Sequence, residues 1–537
     1  MNHRQLLLGD EAFALGAINA GLSGAYAYPG TPSTEILEYI QLNPTALRRG
    51  LHSHWSSNEK TAVEEALGMS FCGKRAIAAM KHVGLNVAAD PFVNSAMTGA
   101  HGGLIVVAAD DPSMHSSQNE QDSRFYAAFA LLPALEPSSQ QEAYDMAAYG
   151  FELSERFGVP VLLRLVTRLS HSRAVVEVAD EAGAEKALSY PSAPRQWVLM
   201  PGNSRRRYPE LLKTYADLEK EADASPFNRF EEAAGEAPEA LRGLGIIASG
   251  IAYNYVREAF GGKCPVPLVK VSQYPLPMGL IGKLADNCKR IMVVEEGQPV
   301  IEERLRGLDV APGRIIGKLD GHLPRTGELT VDSVRTALGI AVPTGEAVPA
   351  VVMPRPPALC QGCGHRDVFN ALNKALESYP SPKVFGDIGC YTLGYLSPFH
   401  AIDTVVDMGA SITMAKGAAD AGQHPAVAVI GDSTFTHSGM TGLLDAINEN
   451  SPITVIISDN LTTGMTGGQD SQGTGKLRDI CLGLGADPDH VIEAESLPRN
   501  VAALTEMFRR EIDHNGLSVI ISARECIQTA RRHAKKP

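Results

Sequence analysis

Two groups of residues in this sequence have types and spacings that suit chemistry. The first is a set of cysteines in the last third of the chain. Cys360-Gln361-Gly362-Cys363 puts two thiols on one tight turn, Cys390 closes the run Gly386-Asp387-Ile388-Gly389-Cys390, and Cys526 follows the final strand-like run. A C-x-x-C aims two thiolates at one centre, and two more cysteines at loop ends complete the four sulfur ligands of a [4Fe-4S] cluster or of zinc. A redox dithiol and plain buried cysteine are the competing readings. Cys72, Cys264, Cys288 and Cys481 have no partner motif and read as core residues. The second group lies at two strand ends. Ala426-Val427-Ala428-Val429-Ile430 runs into Gly431-Asp432-Ser433, and 28 residues after Asp432 the run Thr454-Val455-Ile456-Ile457 ends in Ser458-Asp459-Asn460. Carboxyl ends of neighbouring strands are where open α/β sheets bind ligands. Asp432 and Asn460 offer hard oxygens of the kind Mg²⁺ uses beside a diphosphate. Gly431 permits close backbone approach, and a helix expected to start near Ser438 would turn its N–H groups on the phosphates. The glycine-rich run Thr463-Gly464-Met465-Thr466-Gly467-Gly468-Gln469 can wrap the same group. Alone, each polar residue reads as a turn or a cap; together they favour a site for Mg²⁺ and a diphosphate.

These groups need parallel sheets to position them, and the sequence alternates accordingly. Short β-branched runs at residues 104–108, 159–163, 245–248, 290–294, 426–430, 454–457 and 518–522 are separated by helical patterns such as 138–157. That is the signature of βαβ units, hence of an α/β protein built from doubly wound parallel sheets. Two stretches read as connectors: 196–239, with Arg205-Arg206-Arg207 and a charged helix at 211–221, and 341–357, with five prolines. They divide the chain into units at 1–195, 240–340 and 358–537. The chain has 537 residues, 44% of them apolar, which suffices for several cores. No run approaches the ~18 apolar residues of a membrane span, and no secretory leader is legible, so a cytoplasmic protein is expected. A net charge of −13 without a basic block argues against nucleic acid or anionic membrane as partner.

Gly431-Asp432-Ser433 through Asn460 resembles the thiamine-diphosphate motif, in which Asp432, Asn460 and the carbonyl of Thr462 match the Mg²⁺ ligands; Ser433 stands where most members have Gly. Met465-Thr466-Gly467-Gly468-Gln469, Cys360-x-x-Cys363-Gly364-His365 and the Cys390 turn narrow the resemblance to the 2-oxoacid:ferredoxin oxidoreductases, most closely the α subunits of the indolepyruvate branch. Tyr28-Pro29-Gly30-Thr31-Pro32-Ser33, Lys81-His82-Val83-Gly84-Leu85-Asn86 and the run from Asp110 through Glu120 agree, so the resemblance spans essentially the whole chain.

The resemblance implies three domains: a pyrimidine-binding domain at 1–195, a transketolase C-terminal-like domain at 240–340 and a diphosphate-binding domain at 358–537. Each cofactor would be held between the first and last of these. It implies that Glu59 hydrogen-bonds N1′ of the aminopyrimidine; without it Glu59 reads as an exposed helix charge. Thr31 would face the oxoacid, Arg124 would pair with its carboxylate, and His82 and His365 would act as proton carriers or hydrogen-bond donors. Gly431, Ser433, Met465 and His365 join the cofactor residues, and Cys360, Cys363, Cys390 and Cys526 fall where relatives bind a [4Fe-4S] cluster. Glu295-Glu296 reads as a solvated strand end. The implied reaction is oxidative decarboxylation of an aryl 2-oxoacid to an acyl-CoA, with electrons passing to ferredoxin. The implied assembly is (αβ)₂ with a smaller β subunit. The family's α subunit usually continues into a ferredoxin-like module; this sequence stops 11 residues after Cys526. Non-oxidative thiamine-dependent decarboxylation or carboligation is the alternative.

Overall fold

The structure is a computed structural model that describes residues 3–179, 183–190, 197–307 and 313–534. The chain forms two compact units, Met1–Glu346 and Ala347–Pro537. The first contains a seven-stranded sheet in the order Gln273–Tyr274, Ala134–Leu135, Val161–Val166, Leu104–Asp110, Ala76–Lys81, Gly24–Ala27, His52–Trp55. All its pairings are parallel except the outermost one made by Gln273–Tyr274. A second sheet of the same unit runs Ile315–Ile316, Arg290–Val294, Leu244–Ser249, Leu268–Val271, Arg229–Glu231, with only the last strand antiparallel.

The parallel strands form because their apolar runs are covered on both faces. Leu104–Asp110, Val161–Val166 and Leu244–Ser249 are buried at every position. Helix Gln140–Phe157 starts where the Ser139 hydroxyl accepts the Glu142 N–H and stops at Gly158 in the left-handed region.

The first two expected units share one compact body. A single hydrophobic core runs from Leu7 to Leu338, and Gln273–Tyr274 leaves the neighbourhood of the second sheet to extend the first. The described part of the expected connector 196–239 carries regular elements: helix Pro201–Ala224 includes Arg205-Arg206-Arg207, and Arg229–Glu231 is an edge strand of the second sheet. The expected boundary at 195–196 lies outside the described residues. Residues 341–357 have neither helix nor strand and are exposed.

The second unit is a five-stranded, all-parallel sheet in the order Lys383–Gly386, Ala426–Gly431, Thr454–Asp459, Ser518–Ala523, Val491–Glu495. The two strands that end in Asp432 and Asn460 are neighbours, with Gly431 opposite Ser458. Among the described residues, no helix is long and apolar enough to cross a membrane.

Candidate functional site

In the second unit, polar side chains gather at the ends of the neighbouring strands Ala426–Gly431 and Thr454–Asp459. Gly431 lies against the Tyr391 ring, where a Cβ would come within 2.5 Å of a ring carbon, so only glycine fits. Helical backbone begins at Asp432 itself, passing through a π-type turn at Phe435–Gly439 into helix Met440–Asn448. Ser438 therefore lies inside the helical run, and the N–H groups nearest the strand end are those that follow Asp432. The Asp432 carboxyl is 2% exposed, and its Oδ2 has no hydrogen-bond partner. Burial, then the Asp459 carboxylate beside it, push its pKa up to about 7. A buried carboxylate oxygen left unpaired next to a second carboxylate is a donor set that a divalent cation satisfies, so the residues present fit Mg²⁺. Asn460 Oδ1 accepts the Thr462 N–H at 3.1 Å, and its amide nitrogen stands 3.4 Å from His365 Nε2. Ser433 Oγ and Thr463 Oγ1 meet at 2.8 Å, tying the helix start to the glycine-rich loop, on which Met465 is 60% exposed. His365 is enclosed, bonds Ser458 Oγ through Nδ1 at 2.7 Å and is pulled down to about 4 by burial, which keeps the ring neutral.

The four expected cysteines converge on that same place. Cys360, Cys363, Cys390 and Cys526 line one cavity of ≈ 90 Å³ together with His365, Asp459 and Asn460. The Cys526 N–H donates to the Asn460 carbonyl at 3.1 Å, and a Cβ on Gly464 would stand 3.3 Å from Cys390 Sγ. Burial, then the other three sulfurs, push the Cys390 thiol up to about 12; Cys363 is raised by burial and by Cys360 and Cys526. Two thiols that resist ionising, Cys363 and Cys390, gathered with two further sulfurs suit a cationic iron core, which supplies the charge they need. Tetrahedral zinc holds sulfurs about 3.8 Å apart. Among the described residues, no three of these thiols lie within 4.8 Å of one another.

In the first unit, three loops meet at the carboxyl ends of the seven-stranded sheet. Glu59 opens helix Glu59–Phe71 beneath an Asn58 cap and is 4% exposed. It is therefore no surface charge. Gly84 lies directly over it, so a Cβ there would fall 2.6 Å from Glu59 Oε1. Lys81 bridges the loops: its Nζ donates to the Ser116 carbonyl at 3.0 Å, and burial lowers its pKa while Asp111 and Glu59 oppose that shift. Thr31 is half-buried, and its carbonyl accepts from Ser116 Oγ at 3.4 Å. His82 is 1% exposed, with Nε2 3.2 Å from the Asn119 carbonyl and Nδ1 unpartnered.

Arg124 is not available to a substrate. Its guanidinium is 2% exposed and donates to both Asp122 oxygens, Glu295 Oε2, the Tyr274 hydroxyl and the carbonyls of Glu296 and Gln298 at 2.6–3.1 Å. Glu295 and Glu296 are each 1% exposed, so they are buried acids rather than a solvated strand end. Glu295 also accepts the N–H groups of Ile301 and Glu302. Lys81, Asp387 and Asp459 stand in the sequence only as members of motifs whose other residues carry the signal. Asp387, raised to about 6 by burial, accepts the Gly409 and Ser411 N–H groups and so anchors the Cys390 turn.

Comparison with known proteins covers both units. Residues 387–522 match the family model "Thiamine pyrophosphate enzyme, C-terminal TPP binding domain". Residues 15–228 match "Pyruvate flavodoxin/ferredoxin oxidoreductase, thiamine diP-bdg". The indolepyruvate oxidoreductase subunit IorA of Archaeoglobus fulgidus is 40% identical over 97% of this chain and 86% of its own length. That of Pyrococcus abyssi is 39% identical over the same shares. Among solved structures, a 2-oxoglutarate:ferredoxin oxidoreductase from Magnetococcus marinus aligns with TM-score 0.49 and 18% identity over 62% of this chain and 65% of that one. On the extent and level of the identity, this chain belongs to the IorA family of indolepyruvate oxidoreductase subunits.

Proposed function

We propose that this chain is the catalytic subunit of a 2-oxoacid:ferredoxin oxidoreductase that converts an aryl 2-oxoacid of the indolepyruvate type to its acyl-CoA with loss of CO₂. The observation that carries this reading is the cavity in which Cys360, Cys363, Cys390 and Cys526 meet His365 and Asn460. A non-oxidative decarboxylase has no use for four thiols gathered at the end of the diphosphate strand.

Thiamine diphosphate supplies the electron sink that lets CO₂ leave a 2-oxoacid, and an iron-sulfur cluster supplies one-electron transfer. Asp432, Asn460 and the Thr462 carbonyl would hold Mg²⁺, with Gly431 and Ser433 against the diphosphate. Enclosed Glu59 would hold the proton at N1′ of the aminopyrimidine. Thr31 and His82 would border the oxoacid, and Lys81 takes the place Arg124 leaves as the nearby cation. Cys360, Cys363, Cys390 and Cys526 would bind one [4Fe-4S] cluster. The partners in this reading are a smaller β subunit, in an (αβ)₂ assembly, and ferredoxin as acceptor, all in the cytoplasm.

The test is anaerobic co-purification with the presumed β chain, followed by iron and sulfide analysis and an assay of ferredoxin reduction. About four irons and four sulfides per chain, with reduction that needs both indolepyruvate and coenzyme A, are expected. Zinc in their place, or CO₂ release without electron transfer, overturns the proposal.

A further inference from the structure

A second constellation of metal-ligating side chains lies in the first unit, apart from the residues used above. Asp10 is the second residue of helix Gly9–Asn19, Glu35 the second of helix Thr34–Leu42, and His171 the last of helix Thr167–His171. Close packing makes them meet. Gly9 sits so near the Leu169 carbonyl that a Cβ would come within 2.3 Å of its oxygen, which brings Asp10 beside Ser170 and His171. One ligand atom from each of Asp10, Glu35 and His171 lies within 4.8 Å of the other two. His171 Nε2 and Glu35 Oε2 stand 3.4 Å apart.

That pair leaves Asp10 over. Its side chain is 0% exposed, and neither carboxylate oxygen makes a hydrogen bond; the neighbouring Ser170 hydroxyl does not have hydrogen-bond geometry and is unpartnered as well. A fully enclosed carboxylate with two unpaired oxygens is a group whose satisfaction must come from elsewhere. Proton or cation can supply it, and burial, with Glu35 close by, raises the carboxyl to about 8 when only the proton is offered. The cation reading also uses the other two groups. Glu35 and His171 keep about a third of their side-chain surface exposed, so an ion has an entry path. Tetrahedral ligands at about 2.1 Å from a metal stand about 3.4 Å apart, so a closure of about 1.4 Å or less completes the site.

We propose that Asp10, Glu35 and His171 form a site for a divalent first-row transition cation, with water completing its coordination. Two carboxylates and one imidazole are a mixed hard and borderline donor set, which suits Mn²⁺, Fe²⁺ or Zn²⁺ and disfavours ions that seek thiolates. The ion cross-links three helices behind the Thr31 loop. Glu35 lies four residues after Thr31, and Thr167, at the other end of the His171 helix, donates its hydroxyl to Asp111 at 2.7 Å.

The test uses the full chain carrying Asp432→Asn, which removes the Mg²⁺ ligand of the other site, freed of metal and without thiamine diphosphate. Mn²⁺ is the probe, because it has little preference for the cysteine cavity. Electron paramagnetic resonance of free Mn²⁺ should count one bound ion per chain, and pulsed measurements should detect nitrogen coupling from one imidazole. Adding Asp10→Asn, Glu35→Gln or His171→Gln should abolish that ion, and the last should remove the nitrogen coupling. Glu35→Gln alters a side chain about a third exposed, so its result stands even where the buried Asp10 change impairs folding. No bound Mn²⁺ in the parent, an unchanged count in the Glu35 and His171 variants, or bound Mn²⁺ without nitrogen coupling would each overturn the proposal.

Discussion

Replacing Arg124 by Met separates its two possible roles. If the guanidinium were a substrate anchor, removing it would raise KM for the oxoacid and leave the fold untouched. In the structure its removal leaves Asp122 and Glu295 facing each other's surroundings without their cation, since Arg164 reaches Asp122 only at 3.3 Å and is otherwise committed to Asp110 and Glu136. Breaking a buried ion pair by deleting one partner costs about 3–5 kcal/mol. Unfolding entropy of about 2.1 cal/mol/K per residue, taken over the 346 residues of the first unit, is about 0.7 kcal/mol/K. The melting midpoint of that unit should therefore fall by about 4–7 °C. Calorimetry of Arg124→Met at fixed protein concentration measures it. Adding Glu295→Gln should recover part of the loss, because it removes one of the stranded charges, and the double-mutant cycle reports the coupling. An unchanged midpoint with a KM raised tenfold or more would refute the reasoning and return Arg124 to the substrate.

Other outcomes follow from the candidate sites of the two units. Glu59→Gln should lower kcat by about 10²–10⁴, the range for a positioned proton-transfer group, while calorimetry still detects thiamine diphosphate binding. Gly84→Ala places a methyl 2.6 Å from Glu59 Oε1; the displaced carboxylate should cost about 10²-fold in kcat, with a smaller effect on the melting midpoint than Arg124→Met. Cys526→Ser should reduce iron per chain and bleach the cluster absorption without abolishing cofactor binding. The Asp432 carboxyl titrates near 7 when no cation is present, well above its ordinary range. The metal-free protein should thus lose stability as pH rises through that interval toward 7, because the folded state holds a proton the unfolded chain has released. Mg²⁺ binding should correspondingly strengthen between pH 6 and 8, with a proton release that falls from nearly one at the lower pH to about a tenth at the upper, read by calorimetry in buffers of different ionisation enthalpy.

What the sequence disclosed depended on whether the signal was local. The strand run 290–294 coincides with Arg290–Val294, and 426–430 and 454–457 lie inside Ala426–Gly431 and Thr454–Asp459, because continuous β-branched burial is written in consecutive residues. The neighbouring places of Asp432 and Asn460 were likewise legible, since a short crossover puts successive parallel strands side by side. The edge strand Arg229–Glu231 was not, for three residues carry too little pattern, and its partner Leu268–Val271 lies some 40 residues on. Arg124 failed for the same reason at side-chain scale. It follows a Ser-rich loop, as a substrate cation should, yet its fate is decided by Glu295, Tyr274 and two carbonyls more than 140 positions away. Glu295 is the mirror case: one charge after an apolar strand reads as solvated until the distant arginine is known to meet it. A charge's role is thus a property of the pair, and a single sequence states only one half. That asymmetry also says where sequence and structure together are strongest. The C-x-x-C and the Asp432 motif stand out because their residue types follow one another locally, whereas Asp10, Glu35 and His171, with no motif between them, emerge only once three helices are packed.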